Sequence, residues 1–145
     1  GSDVVYLAKL YGHGTAAAPS RIGSRLPAHC TAVGKVLLAY DAKAATAALA
    51  TPLIGLTPRS ICEPDSLAAE LTRVRRDGVA MDHEESRLGL TCVAAPVMGR
   101  SGRPLAAMSV SAPLGTDMRA VTASLRRVRA SASQALSRST VARIA

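Results

Sequence analysis

Apolar positions recur along this chain with two different periods, and the switch between them separates helices from strands. Between residues 31 and 40, Val33, Val36, Leu37 and Tyr40 fall at i, i+3, i+4 and i+7, the spacing of one helix face. Thr31 stands at the start of that helix as an N-cap, which leaves the N–H groups of Ala32, Val33 and Gly34 pointing out of the helix unpaired. Residues 42–50 are nearly all Ala and Leu and predict a second helix. Punctuation is clearest over residues 63–78, with Pro64 at the first helical position, Leu67, Leu71 and Val74 on one face, and Gly78 just past the end. From Met118 onward, Val121, Leu125, Val128, Ala132 and Leu136 keep a helical stripe beside an arginine face. A long amphipathic helix therefore closes the domain.

The strands follow period two. Residues 4–10 predict a first strand, residues 11–14 a turn, and residues 17–23 a weaker strand. Residues 79–82 and 84–88 read as short strands or an extended bend leading into a hairpin. In its first arm, residues 91–98, Cys92, Ala94, Pro96 and Met98 share one face, and Val93, Ala95 and Val97 the other. In the second arm, Ser109 and Ser111 lie opposite Met108 and Val110. A tight turn centred between Ser101 and Gly102 sets Cys92 across from Ser111 and Ala94 across from Ser109, so a thiol and two hydroxyls converge where hydrocarbon is expected. A longer loop over residues 99–104 is the alternative, and a slip of one residue would scatter the three groups.

Helices and mainly antiparallel strands mix without a βαβ rhythm, which indicates an α+β domain. Both faces of the hairpin are largely apolar. The sheet is expected to be covered on both sides, by helices on one and by a loop-roofed cavity on the other.

Composition narrows the class. At 145 residues the chain fits one domain, and with no Trp, no Phe and three Tyr its core must come from Ala, Val, Leu, Ile and Met. Such a core is thin per residue, which favours association with a second copy. The net charge of +8 is concentrated at the C-terminus, with six arginines against one aspartate after residue 116 and twelve basic against nine acidic groups before it. No aromatic residue is interleaved there to stack on bases, so the segment reads as a solvated arginine face more than a nucleic-acid site. Cys30, Cys62 and Cys92 are odd in number and lack CxxC spacing, which fits a reducing cytoplasm. No run of about 18 apolar residues and no signal-peptide pattern occurs, so neither a membrane span nor export is expected. Gly1 and Ser2 read as the scar of a cleaved expression tag, and residues 3–145 as a single domain.

Several groups invite chemistry. Cys92 with His29 or His83 as base would make a cysteine enzyme, but no local cysteine-hydrolase signature accompanies it, and a buried thiol is usually inert. Asp82, His83, Glu84 and Glu85 resemble metal ligands by type. In an extended segment, however, Asp82 and Glu84 face one way and His83 and Glu85 the other, so a solvated or structural run is the stronger reading and no metal or cofactor is assigned. His29, just before a helix start, is read as bonding backbone groups. Gly34 inside a helix costs about 1 kcal/mol relative to Ala, so a compensating need, such as close packing under a ligand, is expected.

Three blocks carry a family resemblance. GSRLPAHCTAVGKVLLA at residues 23–39 is similar to the signature GxRxPLHxTAxGKALLA of IclR-type bacterial transcriptional regulators. LTPR at 56–59, running through Leu67 to DGVA at 77–80, resembles the loop, helix and strand that follow in that family. EESRLGLTCVAAPV at 84–97, with Ser109-Val110-Ser111, resembles its EExxxGxxCxAAPV…LSVS pattern. One departure is Ala28-His29-Cys30, where the family more often has Leu-His-Ala. The resemblance implies a GAF-like effector-binding domain, mainly antiparallel sheet flanked by helices, with no catalysis. It implies that a small organic acid is held by the N–H groups of Ala32 and Val33 and by Asp82, Cys92, Ser109 and Ser111. It also implies a homo-oligomer, dimer or tetramer, and DNA binding only through a winged helix-turn-helix domain that this chain lacks. A cysteine enzyme using Cys92 and a purely structural oligomerisation domain are the rival readings.

Overall fold

Three antiparallel strands in the order β3-β4-β5 form the sheet on which the other elements are arranged: β3 Ala80–His83, β4 Leu90–Met98 and β5 Pro104–Pro113. The computed structural model describes residues 2–12 and 18–138. Before the sheet come β1 Asp3–Val5 and β2 Arg25–Pro27, paired antiparallel, then a 3-10 turn Ala28–Cys30 and the helices α1 Ala32–Tyr40, α2 Ala42–Leu49 and α3 Pro64–Asp77. Helix α4, Met118–Arg138, follows the sheet. The domain is α+β, with antiparallel sheets and a long C-terminal helix. No helix among the described residues is long and apolar enough to cross a membrane.

Alternation along β4 decides what packs where. Leu90, Cys92 and Ala94 join a cluster with Val33 and Val36 of α1 and with Leu67, Leu71 and Val74 of α3. Val93 and Ala95, facing the other way, pack with Val79 and with Leu125 of α4. Helices thus cover both faces. The cavity shares its face with α1, where a division into one helical face and one cavity face was expected. The amphipathic stripe of α4 needed an apolar surface to bury, and only the Val93–Ala95 face offered one.

The register of the hairpin is the expected one, with Cys92 paired to Ser111 and Ala94 to Ser109. The turn is not. A longer loop spans residues 99–103, closed by Gly99 N–H donating to Arg103 O at 2.8 Å, and a β-bulge beside Val97 and Met98 adds the residue that restores the register. Helix punctuation held for α3, where Pro64 opens the helix, and Gly78 at φ 70° closes it in the left-handed region.

Helix α1 differs from its periodicity. It is buried almost all round, Lys35 included, because α3, the 3-10 turn and β4 surround it. Gly34 is where the 3-10 turn crosses it: a Cβ there would lie 2.1 Å from Ala28 O. The close packing at Gly34 is therefore against the Ala28 backbone, and Gly34 does not line the cavity, where packing under a ligand was expected.

The N-terminal strand is shorter than residues 4–10. Pairing ends after Val5, with Tyr6 N–H on Ser24 O at 3.2 Å, and Leu7 and Leu10 then stand 81% and 96% exposed, with no strand among the described residues to cover them. Residues 18–23 form no strand, and Ala17 lies outside the described residues, as do His13 and Gly14 of the expected turn. The actual partner, β2, escaped notice because Arg25 and Pro27 are poor strand signals. Residues 84–88 are a tight bend and not a strand, with Glu84 at φ 62°.

Candidate functional site

The α1 N-terminus supplies one wall of a cavity. Thr31 is extended, at φ −130° and ψ 144°, and its Oγ1 accepts from Gly34 N–H at 3.1 Å. Gly34 is thereby removed from the three donors expected to be free. The N–H groups of Ala32 and Val33 keep no acceptor within the helix and carry its partial positive charge.

Opposite stands a row of polar groups across all three strands. Asp82 pairs with Cys92, and Cys92 with Ser111, so carboxylate, thiol and hydroxyl lie side by side on one face. Cys92 Sγ is 3.1 Å from Ser111 Oγ. Ser109 is two residues away from Ser111 on the same strand face. Asp82 is 1% exposed and folds the following bend around itself, its Oδ1 accepting from Glu85 N–H at 2.7 Å and Ser86 N–H at 3.3 Å, and its Oδ2 from the Ser86 hydroxyl. All six positions expected to contact an effector, Ala32, Val33, Asp82, Cys92, Ser109 and Ser111, line the same cavity.

Burial pushes the Cys92 thiol up to about 12, and the Asp82 carboxylate beside it acts in the same direction. At neutral pH this cysteine is a thiol, a weak donor of defined shape, and not a nucleophile. Neither histidine serves it as a base. His29 lines a different groove, its Nε2 is 3.1 Å from Ile54 O, and burial pulls its pKa down, while His83 is exposed.

Sequence reasoning missed Tyr6. It lies just past β1, lines the cavity together with Pro19 and Ser20, and is pushed up to about 12 by burial and then by the neighbouring Cys92, against an opposing hydrogen bond with Thr31. No local signal marked it, since only the fold brings residue 6 over the start of α1. The bend also overturns the alternation expected for the acidic run: Glu85 is turned inward and buried, and its carboxylate meets Lys35 Nζ at 2.6 Å. A lysine at the centre of an apolar helix was the available sign.

The cavity is small. Of about 300 Å³ of space between its walls, partly open to solvent, about 20 Å³ admits the centre of a water molecule. That is room for one or two waters. A second groove, bounded by Asp3, Pro27, His29 and Leu53, is larger at about 480 Å³. It is mostly apolar, and the His29 Nε2 is already bonded, so of the two it is the first that brings polar groups together.

The family described as "Bacterial transcriptional regulator IclR C-terminal" matches residues 1–138. The HTH-type transcriptional regulator XynR of Escherichia coli K12 is 41% identical over 113 residues, which cover 77% of this chain and 45% of that protein. The glycerol operon regulatory protein of Streptomyces coelicolor is 41% identical over 90 residues, 62% of this chain and 35% of that protein. Among solved structures, an IclR homolog complexed with 4-hydroxybenzoate from Microbacterium hydrocarbonoxydans superposes with a TM-score of 0.90 at 25% identity, covering 94% of this chain and 57% of that one. The Thermotoga maritima IclR does so at 0.82 and 30% identity, over 94% and 56% of the two chains. The chain spans less than half the length of these two curated relatives. Such proteins are regulators and not enzymes.

Proposed function

The chain belongs to the IclR family of bacterial transcriptional regulators, matching its C-terminal effector-binding domain, and on that premise we propose that the cavity beneath Tyr6 receives a small organic carboxylic acid. In this reading the acid's carboxylate accepts from the N–H groups of Ala32 and Val33, where the helix start favours an anion. Ser109 and Ser111 add hydroxyl donors, and Cys92 contributes shape. Asp82 cannot face a second carboxylate without repulsion, so it takes a hydroxyl or other donor at the acid's far end. The observation that carries the reading is the meeting of a helix N-terminus with a carboxylate–thiol–hydroxyl row, buried at Asp82 and Cys92 and open at Ser111, across one small cavity. As it stands the cavity holds one or two waters, so even an acid of two or three carbons has to widen it. An aromatic acid, such as the one bound in the Microbacterium relative, requires Tyr6 and the chain at Pro19 to move aside.

Regulation follows from linkage. An acid that binds two assembly states with different affinity shifts the balance between them, and the full-length regulator, as a cytoplasmic dimer or tetramer, presents its N-terminal winged helix-turn-helix domains to DNA differently in each. A thermal-melt panel running from acetate and lactate to benzoate tests the reading. An effector at about 100 times its Kd adds ~2.7 kcal/mol, which is roughly 5 to 10 °C for a chain of this size. Ser111→Ala and Asp82→Asn should shrink that shift without abolishing the fold. No shift with any acid would leave a structural oligomerisation domain as the better account.

A further inference from the structure

One buried charge cluster stands behind the cavity without lining it. Lys35 is 1% exposed, and its Nζ lies 2.6 and 2.8 Å from the two carboxylate oxygens of Glu85 and 3.4 Å from Glu70 Oε1. Arg73 also pairs with Glu70 at 2.8 Å and with Asp77 at 3.2 Å, so Glu70 keeps a cation besides Lys35. Burying such a pair brings little net stability, and hydrocarbon of the same length is commonly as good or better. Stability alone therefore does not account for Lys35.

Its position does. Lys35 is one turn beyond the N-cap of α1, its own N–H donating to Thr31 O at 3.0 Å. Glu85, at the other end of the ion pair, donates its N–H to Asp82 Oδ1 at 2.7 Å. The ion pair thus spans from the helix whose first N–H groups form the donor wall to the bend whose Asp82 forms the acceptor wall. Thr57 Oγ1 on Glu84 O and Ser60 Oγ on Glu85 O, both at 2.7 Å, hold the outside of that bend, leaving Lys35 as the charged tie on its inner side. We propose that Lys35 and Glu85 are a positioning pair that sets the spacing between the α1 N-terminus and Asp82, and with it the length of acid the cavity accepts. The second clause rests on the effector reading given above; the first does not.

Backbone amide exchange and an acid panel test the two together. The double variant Lys35→Met, Glu85→Met removes both charges together and frees only the His83 N–H, which donates weakly to Glu85 Oε1 at 3.4 Å, so it should fold, with a melting temperature close to that of the parent. In it, the Glu85 and Ser86 amides that donate to Asp82 should exchange about tenfold faster or more, relative to amides in the middle of α3. Glu85→Gln keeps an acceptor for Lys35 and should restore most of that protection, an outcome that a merely space-filling role would not produce. The order of preference among acetate, lactate, malate and benzoate should also change in the double variant. Unchanged protection at Glu85 and Ser86 overturns the positioning role. Changed protection with an unchanged order of acids overturns the length selection, and a parent chain that binds none of the four overturns both that selection and the effector reading while the exchange result still decides the spacing.

Discussion

At the scale of single residues, environment converts reactive types into recognition groups. Cys92 is a nucleophile by type, but burial and Asp82 hold its proton up to about 12. The same displacement makes a pH prediction. The unfolded chain releases this proton near the ordinary value of 9.0, whereas the folded chain retains it. Its contribution to stability is therefore complete below about pH 9 and is lost as pH rises through the folded value. Thermal melts from pH 8 upward should show a falling midpoint, and Cys92→Ala should fall less steeply, with Tyr6 and Cys30 supplying the remainder because burial displaces both in the same direction. Alkylation provides a second check. Iodoacetamide at pH 8 should modify exposed Cys62 first, and reach Cys30 and Cys92 only after unfolding. Rapid labelling of Cys92 in the folded chain would contradict the protonated, inaccessible thiol.

Elements are fixed by what they press against. Helix α1 tolerates Gly34 because the 3-10 turn before it passes at backbone distance. Gly34→Ala would gain about 1 kcal/mol of helix propensity, yet it should destabilise by about 3 kcal/mol or more, because a Cβ 2.1 Å from Ala28 O forces the turn away from the helix. Denaturant titration of that variant gives the sign directly. A gain in stability would contradict the close approach of the turn to the helix. Helix α4 depends on fewer contacts. Leu125, 3% exposed, is its one fully buried anchor among the described residues, packed with Val79, Val93 and Ala95. Leu125→Ala should cost about 2 to 5 kcal/mol and lower the melting midpoint by roughly 5 to 15 °C. Its effect on the cavity should be small, since the cavity lies on the opposite face of β4.

For the molecule as a whole, charge placement argues against direct reading of DNA by this chain. Arg73 and Arg76 pair with Glu70 and Asp77 on their own helix, and Arg126 reaches back to Asp77 O at 3.1 Å, tying α4 to α3. A gel-shift assay with this chain alone should show no sequence-specific complex at physiological salt. A salt-resistant specific shift would give the arginine face of α4 a function of its own. The helices, the α+β class and the pairing of Cys92 with Ser111 were all legible in the sequence, because periodicity, caps and alternation are local consequences of backbone geometry. Even the wrong turn gave the right register, since the bulge beside Met98 offset the longer loop. Tyr6 over the cavity, the inward Glu85 and the Lys35 tie were not legible. Each depends on residues dozens of positions apart meeting in space, and on Asp82 bending the chain where alternation alone would keep it straight. Local pattern thus determined which elements form and which faces they bury. Tertiary packing decided that a helix start and a strand row line one small polar cavity with a buried ion pair behind them, because only packing fixes distances between segments that no sequence period connects.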